Sequence, residues 1–239
     1  MQRIFAEIAN NQVLINDEDL HHLKDVLRLD VGEEVEVLSK EGPILTRVAS
    51  LSPFVLEVVA PIAEKRELDN KLAIAWSLLK GENNDWIVMK GTELGVTDFL
   101  PFLSKRSIVK AEIGSEDNRL SRMKKIARSS AQQCRRATLP EVYPYAKYLD
   151  VLSANYDVKI FAWEGINGGS ETLYKAALNL KKGQSVLLLI GPEGGFTEDE
   201  AKLAVEHGFQ AVSLGRRILR AETAAIYAAS LIGARSEEE

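Results

Sequence analysis

The sequence predicts an α/β protein in which a small β-rich domain precedes a larger domain of alternating strands and helices. Three observations carry this. From Lys71 onward, short apolar runs alternate with amphipathic segments, the pattern of a mostly parallel sheet covered by helices. Val186-Leu-Leu-Leu-Ile190 is continuously apolar, as expected of a strand buried on both faces. Before residue 66, three strand-length segments cluster around turn signals.

Taken in order, Asn16-Asp-Glu-Asp-Leu20 reads as the capped start of a short helix running through Arg28. Leu20, Leu23 and Leu27 share its inward face, and His21, Lys24 and Arg28 share another. Val35–Ser39 and Ile44–Val48 form a hairpin around Lys40-Glu-Gly-Pro43, and Phe54–Val59 follows as a third strand. Pro61 to Asn70 is polar and charged and reads as the linker, so the domains are placed at residues 1–68 and 69–239. In the second, strands are expected at Leu72–Leu78, Phe99–Leu103, Val158–Trp163, Val186–Ile190 and Ala211–Leu214. Helices are expected at Asp85–Leu94, Asn118–Cys134, Glu171–Leu180, Glu198–His207 and Glu222–Gly233, with Gly95 and Gly208 as C-terminal caps.

Composition narrows the class. With 46% hydrophobic and 27% charged residues among 239, the chain reads as an ordinary globular protein. One cysteine, Cys134, excludes an internal disulfide, and three scattered histidines argue against a zinc site. The N-terminal residues lack the apolar core of a signal peptide, and the apolar run before Gly191 is too short to span a membrane. The expectation is a cytoplasmic protein without metal or membrane attachment.

Charge is unevenly spread. The first seventy residues hold seven basic and fourteen acidic side chains, whereas residues 71–140 hold thirteen and seven. Ten basic residues fall between Lys105 and Arg136, including Arg119, Arg122, Lys124, Lys125 and Arg128 on one expected helix. A basic segment on an acidic protein is the footprint of a polyanion site. A solvated helix face explains the charge equally well.

Two loops carry the chemistry. The first follows Ile190 as Gly191-Pro-Glu-Gly-Gly-Phe-Thr197, where glycines permit positive φ or close approach of a ligand, and Thr197 with Glu200 makes a capping box. Its spacing matches neither the dinucleotide fingerprint nor the phosphate-binding loop with its lysine, and Glu193 would repel a phosphate. A ligand with polar edges and a positive centre, such as S-adenosylmethionine, fits better; a plain strand–turn–helix junction is the alternative. The second loop, Leu214-Gly-Arg-Arg-Ile-Leu-Arg220, puts Arg216, Arg217 and Arg220 before an alanine-rich helix. Guanidinium groups there suit a phosphate or a developing oxyanion, or are surface residues.

Together, Leu189-Ile-Gly-Pro-Glu-Gly-Gly-Phe196 and Leu214-Gly-Arg-Arg-Ile-Leu-Arg-Ala-Glu-Thr-Ala224 resemble the bacterial 16S rRNA (uracil-N3) methyltransferase family of the SPOUT class. His22-Leu-Lys-Asp-Val-Leu-Arg28, Lys80-Gly-Glu-Asn-Asn-Asp-Trp86, Lys90-Gly-Thr-Glu-Leu-Gly-Val96, Ser104-Lys-Arg-Ser107 and the segment Gln133 to Pro140 extend the resemblance along essentially the whole chain. It implies an N-terminal PUA-like β-barrel, a trefoil-knotted α/β domain, S-adenosylmethionine as methyl donor, a homodimer, and 16S rRNA of the small ribosomal subunit as substrate. Carried over residue by residue, it implies cofactor contacts from Ile190, Gly191, Pro192, Glu193 and Gly195, from Leu214, Gly215, Ile218 and Leu219, and, more loosely, from Trp163 and Glu164. Trp163 as a core residue is the alternative. Arg220 and Glu222 are the catalytic candidates, and Lys24, Arg28, Arg106, Arg128 and Arg136 the RNA contacts. The chain departs from the family pattern at Arg216 (commonly proline), Ala221 (threonine) and Lys105 (an acid). Methylation of another RNA, such as tRNA, and an RNA-binding assembly factor without catalysis are the competing readings.

Overall fold

A single residue, Ala6, separates two strands that lie at opposite ends of the first sheet. The structure is a computed structural model, and it describes residues 2–9, 12–39, 42–63, 66–115, 117–163 and 171–237. Strand β1 (Gln2–Phe5) pairs in parallel with β4 (Glu34–Ser39), while β2 (Glu7–Ala9) pairs with β3 (Gln12–Leu14). With β5 (Gly42–Leu51) and β6 (Phe54–Pro61), the strand order is β1-β4-β5-β6-β3-β2. Because β1 and β2 are nearly continuous, the sheet must curl until its two ends approach each other, which gives it the form of a small barrel. Ile4, Val35, Val37, Val48 and Leu56 fill its interior together with Leu23.

Leu23 reaches that core from a short helical segment. Asn16 caps α1 (Asp17–His21) by accepting from the backbone N–H of Asp19 at 2.8 Å. The chain then widens into a π turn, His22–Val26, with Leu27 N–H bonding the carbonyl of His22. The expected helix through Arg28 stops at this point, because Arg28 takes φ +55° and leaves the helical region. Lys24 and Arg28 are both solvent-exposed.

The chain divides into two units, Met1–Glu67 with Ala131–Leu139, and Leu68–Ser130 with Pro140–Glu239. A boundary at residue 68 does not anticipate the returning segment 131–139. Within the first unit Glu67 fixes that segment. Its carboxylate accepts from Arg136 Nε at 3.0 and 3.2 Å and from the backbone N–H of Ala137 at 2.8 Å. Pro61 lies in β6, not in a linker.

The second unit is built on a fully parallel sheet. Its strands are β7 (Lys71–Ser77), β8 (Asp98–Leu103), β9 (Glu141–Val142), β10 (Ala146–Lys147), β11 (Val158–Ala162), β12 (Ser185–Ile190) and β13 (Gln210–Val212). The order is β10-β8-β7-β12-β11-β13, with β9 also on β8. Side chains alternate across it. Leu72, Ile74 and Trp76 of β7 and Val186, Leu188 and Ile190 of β12 face α2 (Asn83–Glu93), α3 (Asn118–Gln133), α5 (Leu173–Leu178) and α7 (Ala221–Glu237). Ala73, Ala75, Leu187 and Leu189 face α4 (Tyr148–Leu152) and α6 (Glu198–Glu206). This double burial accounts for the unbroken apolar run at residues 186–190. Consecutive strands β11 and β12 are neighbours, but β12 to β13 passes over β11, so the chain crosses the sheet near its β13 edge. The trefoil knot expected there depends on the path of residues 163–172, of which 164–170 lie outside the described residues.

Candidate active site

The carboxyl ends of β11, β12 and β13 open onto a cavity of about 630 Å³. Parallel sheets place ligand sites at this end, because the loops and helix N-termini converge there. Ile190, Gly191, Pro192, Glu193 and Gly195 line it from the β12–α6 loop, and Leu214, Gly215, Ile218 and Leu219 from the β13–α7 loop. Trp163, Arg220 and Glu222 line it too, so the structure gathers these sequence candidates at one place. Glu164 lies outside the described residues. Trp163 also stacks on Phe161, with ring centroids 6.0 Å apart. Cavity wall and ring packing therefore share this side chain.

The first loop is held from several directions. Pro192 to Gly195 is a tight turn closed by Gly195 N–H to the carbonyl of Pro192 at 2.9 Å, and Gly195 takes φ +66°. A Cβ on Gly191 would come within 3.1 Å of the Phe196 ring, so the loop packs its own aromatic against bare backbone. Arg106 Nη1 donates to the carbonyl of Gly194 at 2.9 Å. Glu200 is buried at 3% exposure and uses both carboxylate oxygens. Oε2 accepts from the N–H of Thr197 at 2.9 Å, completing the capping box of α6, and Oε1 accepts from the N–H of Lys105 at 2.8 Å.

A third wall comes from the β7–α2 loop, which was not assigned to the site from sequence. Asn84 is 1% exposed and fully bonded: its Oδ1 accepts from Trp76 Nε1 and the N–H of Leu79, each at 3.0 Å, and its Nδ2 donates to the carbonyl of Leu79. That anchor sets the loop so that the N–H of Lys80 donates to Glu193 Oε1 at 3.1 Å, and Asn83 lines the cavity. The signal was present as Lys80-Gly-Glu-Asn-Asn directly after a buried strand.

The second loop is different in character. Gly215 takes φ +118°, a conformation open to glycine. Leu214, expected as the end of a strand, lies in this loop, because β13 stops at Val212. Arg216, Arg217 and Arg220 are exposed, and among the described residues their side chains have no hydrogen-bond or ion-pair partner. Glu222 stands half-buried in the first turn of α7 and is likewise unpartnered.

The expected RNA contacts divide. Arg128 is half-buried on α3, and Arg106 is committed to the Gly194 carbonyl. Arg136 departs from the expectation of a phosphate contact: it is 3% exposed and its guanidinium is consumed by Glu67. A buried, paired arginine holds structure together rather than offering charge to a ligand.

Fold and cavity define a ligand-binding α/β domain that follows a small β-barrel. A family model described as RNA methyltransferase domain matches residues 66–233, and one described as RNA methyltransferase PUA domain matches residues 15–53. The chain is 34% identical to the ribosomal RNA small subunit methyltransferase E of Bacillus subtilis, covering 99% of this chain and 98% of that one. It is 32% identical to the protein of the same name from Synechocystis, covering 95% and 75%. Among solved structures, ribosomal RNA small subunit methyltransferase E from Neisseria gonorrhoeae, bound to S-adenosyl methionine, matches with a TM-score of 0.81 at 30% identity over 96% and 95% of the two chains. The chain belongs to the RNA methyltransferase family, with the α/β domain and the PUA-type N-terminal domain that its sequence leads one to expect. Among the described residues no helix is long and apolar enough to cross a membrane.

Proposed function

We propose that this protein transfers the methyl group of S-adenosylmethionine to N3 of a uridine in 16S rRNA of the small ribosomal subunit, working as a cytoplasmic homodimer. The observation that carries the reading is the convergence on one cavity of both glycine loops, Glu222 and three arginines that have no partner among the described residues. The residues fit the cofactor. The volume is that of a small-molecule site. Ile190, Leu214 and Leu219 offer apolar walls, Gly191 and Gly215 offer bare backbone, and Glu193 faces the cavity with a negative charge suited to a sulfonium. The relatives named for small-subunit rRNA methylation support the same substrate for this chain.

When bound, S-adenosylmethionine supplies an electrophilic methyl group whose bond to sulfur breaks as the bond to nitrogen forms. The protein's share is positioning and charge. Uracil N3 carries a proton that must leave as the nitrogen attacks, and the resulting negative charge spreads onto the ring oxygens. Arg220, exposed at the cavity with an unpaired guanidinium, stabilises that charge. Glu222 takes the N3 proton. Glu193 is the weaker candidate, because Lys80 N–H already occupies its carboxylate. Base pairing hides N3, so the uridine must be presented outside a duplex stack. Lys24 and Arg28, both exposed, and the half-buried Arg128 are assigned to flanking phosphates, while Arg106 is bonded to the Gly194 carbonyl.

The alanine-rich α7 leaves Tyr227 44% exposed, an apolar area that a second copy of the chain would cover. The roles of Arg220 and Glu222 are tested by steady-state kinetics. Arg220→Ala should lower kcat by roughly 10²–10³-fold with S-adenosylmethionine binding retained, the usual penalty for losing one oxyanion donor. Glu222→Gln, which keeps the shape but cannot take a proton, should lower kcat with S-adenosylmethionine binding retained. Full activity in either folded, dimeric variant excludes that residue's assigned role.

A further inference from the structure

Ile218 is the most exposed large apolar side chain among the described residues, at 85%. It stands on the β13–α7 loop, among the residues that line the cavity, and is exposed there. Covering that side chain would remove apolar area from water, a gain open to a ligand that fits the loop around it. The neighbours say what that ligand is. Arg216, Arg217 and Arg220 surround it in sequence, are exposed, and lack partners among the described residues. An apolar tip framed by free guanidinium groups is complementary to stacked bases framed by phosphates.

We propose that Ile218 is a wedge: its side chain enters the base stack beside the target uridine and fills the space that base leaves when it turns into the cavity. This rests on the methyltransferase reading given above and adds a specificity-determining residue to it. The physical requirement is general. An enzyme acting on N3 must offset the unstacking of the target base, and apolar side chains do so by replacing its contacts. Arg216 and Arg217 hold the phosphates on either side, and Arg220 remains directed to the reacting ring. Glycine at 215, with φ +118°, sets the loop conformation that carries the tip outward.

The test compares Ile218→Ala, Ile218→Phe and wild-type protein on two RNAs. One is an rRNA fragment with the target uridine stacked in its native helix; the other presents the same uridine in an unstructured oligonucleotide. Ile218→Ala should lower the ratio of kcat/KM on the structured fragment to kcat/KM on the unstructured one by roughly tenfold, the scale of one buried apolar side chain. Ile218→Phe should restore that ratio towards the wild-type value. A 2-aminopurine placed next to the target should brighten when wild-type protein binds the structured fragment and stay dim with Ile218→Ala. Equal loss on both RNAs, a raised KM for S-adenosylmethionine alone, or a weakened dimer in sedimentation overturns the wedge. The last two outcomes assign Ile218 to the cofactor or to a second copy of the chain. Absence of methyl transfer by wild-type protein would instead defeat the function reading, and the fluorescence experiment would still decide the wedge.

Discussion

Glycine 215 shows how much a single position can be asked to do. Its φ of +118° lies where side chains are strained, yet a Cβ there would meet nothing within 4 Å. Any penalty of Gly215→Ala is therefore a backbone penalty, acting on the loop that carries Leu214 and Leu219 into the cavity. We expect S-adenosylmethionine to bind about tenfold more weakly to Gly215→Ala, read by calorimetry, with little loss of global stability. Unchanged affinity would mean that the loop does not contact the cofactor. At this scale much of the cavity lining was legible. The glycines announce themselves by type, and Glu193 by its misfit with phosphate. Arg136 was misread because a basic residue in a basic segment looks free. The glutamate that neutralises it is sixty-nine residues away, at a position that sequence assigned to a linker.

The element that organises the β12–α6 loop is the start of α6. Thr197 and Glu200 cap each other, and Glu200 reaches further to bond the Lys105 N–H. Removing the threonine hydroxyl deletes one capping bond, whereas removing the carboxylate orphans N–H groups in two loops. Thr197→Ala should therefore cost about 1 kcal/mol in urea unfolding. Glu200→Ala should cost more, about 2–3 kcal/mol, because buried donors are left unpaired. Equal losses would show that the tie to the 104–107 loop carries no energy. The capping box was readable from its three-residue spacing, but the Lys105 partner was not, since it depends on β8 and α6 meeting in space. The same reason explains the missed β1, β2, β3, β9 and β10. These strands are two to four residues long, too short to show a period, and are stabilised by the strands beside them.

For the whole molecule, alternation of strand and helix and the double-faced apolar run at β12 were enough to place a parallel sheet, because burial on both faces leaves a direct mark on sequence. The order of its strands was not, since β12 and β13 are joined over β11 by contacts far apart in the chain. Charge gives the molecule-scale prediction for substrate. The protein is acidic overall, with a net charge of −5, so RNA must bind through local basic groups and not through a general field. Affinity for rRNA should fall with salt along a shallow log–log slope reflecting a few phosphate contacts, and Arg128→Ala should reduce that slope by about one. A slope insensitive to both Arg128 and Lys24 would place the RNA elsewhere.

The most direct measurement is nucleoside mass spectrometry on small-subunit rRNA from a strain lacking the gene, after incubation with the purified protein and isotopically labelled S-adenosylmethionine. The account predicts one new labelled nucleoside, 3-methyluridine, at a single position, formed roughly 10²–10³-fold more slowly with Arg220→Ala. Label on a different atom or base, or on tRNA and not on small-subunit rRNA, would contradict it.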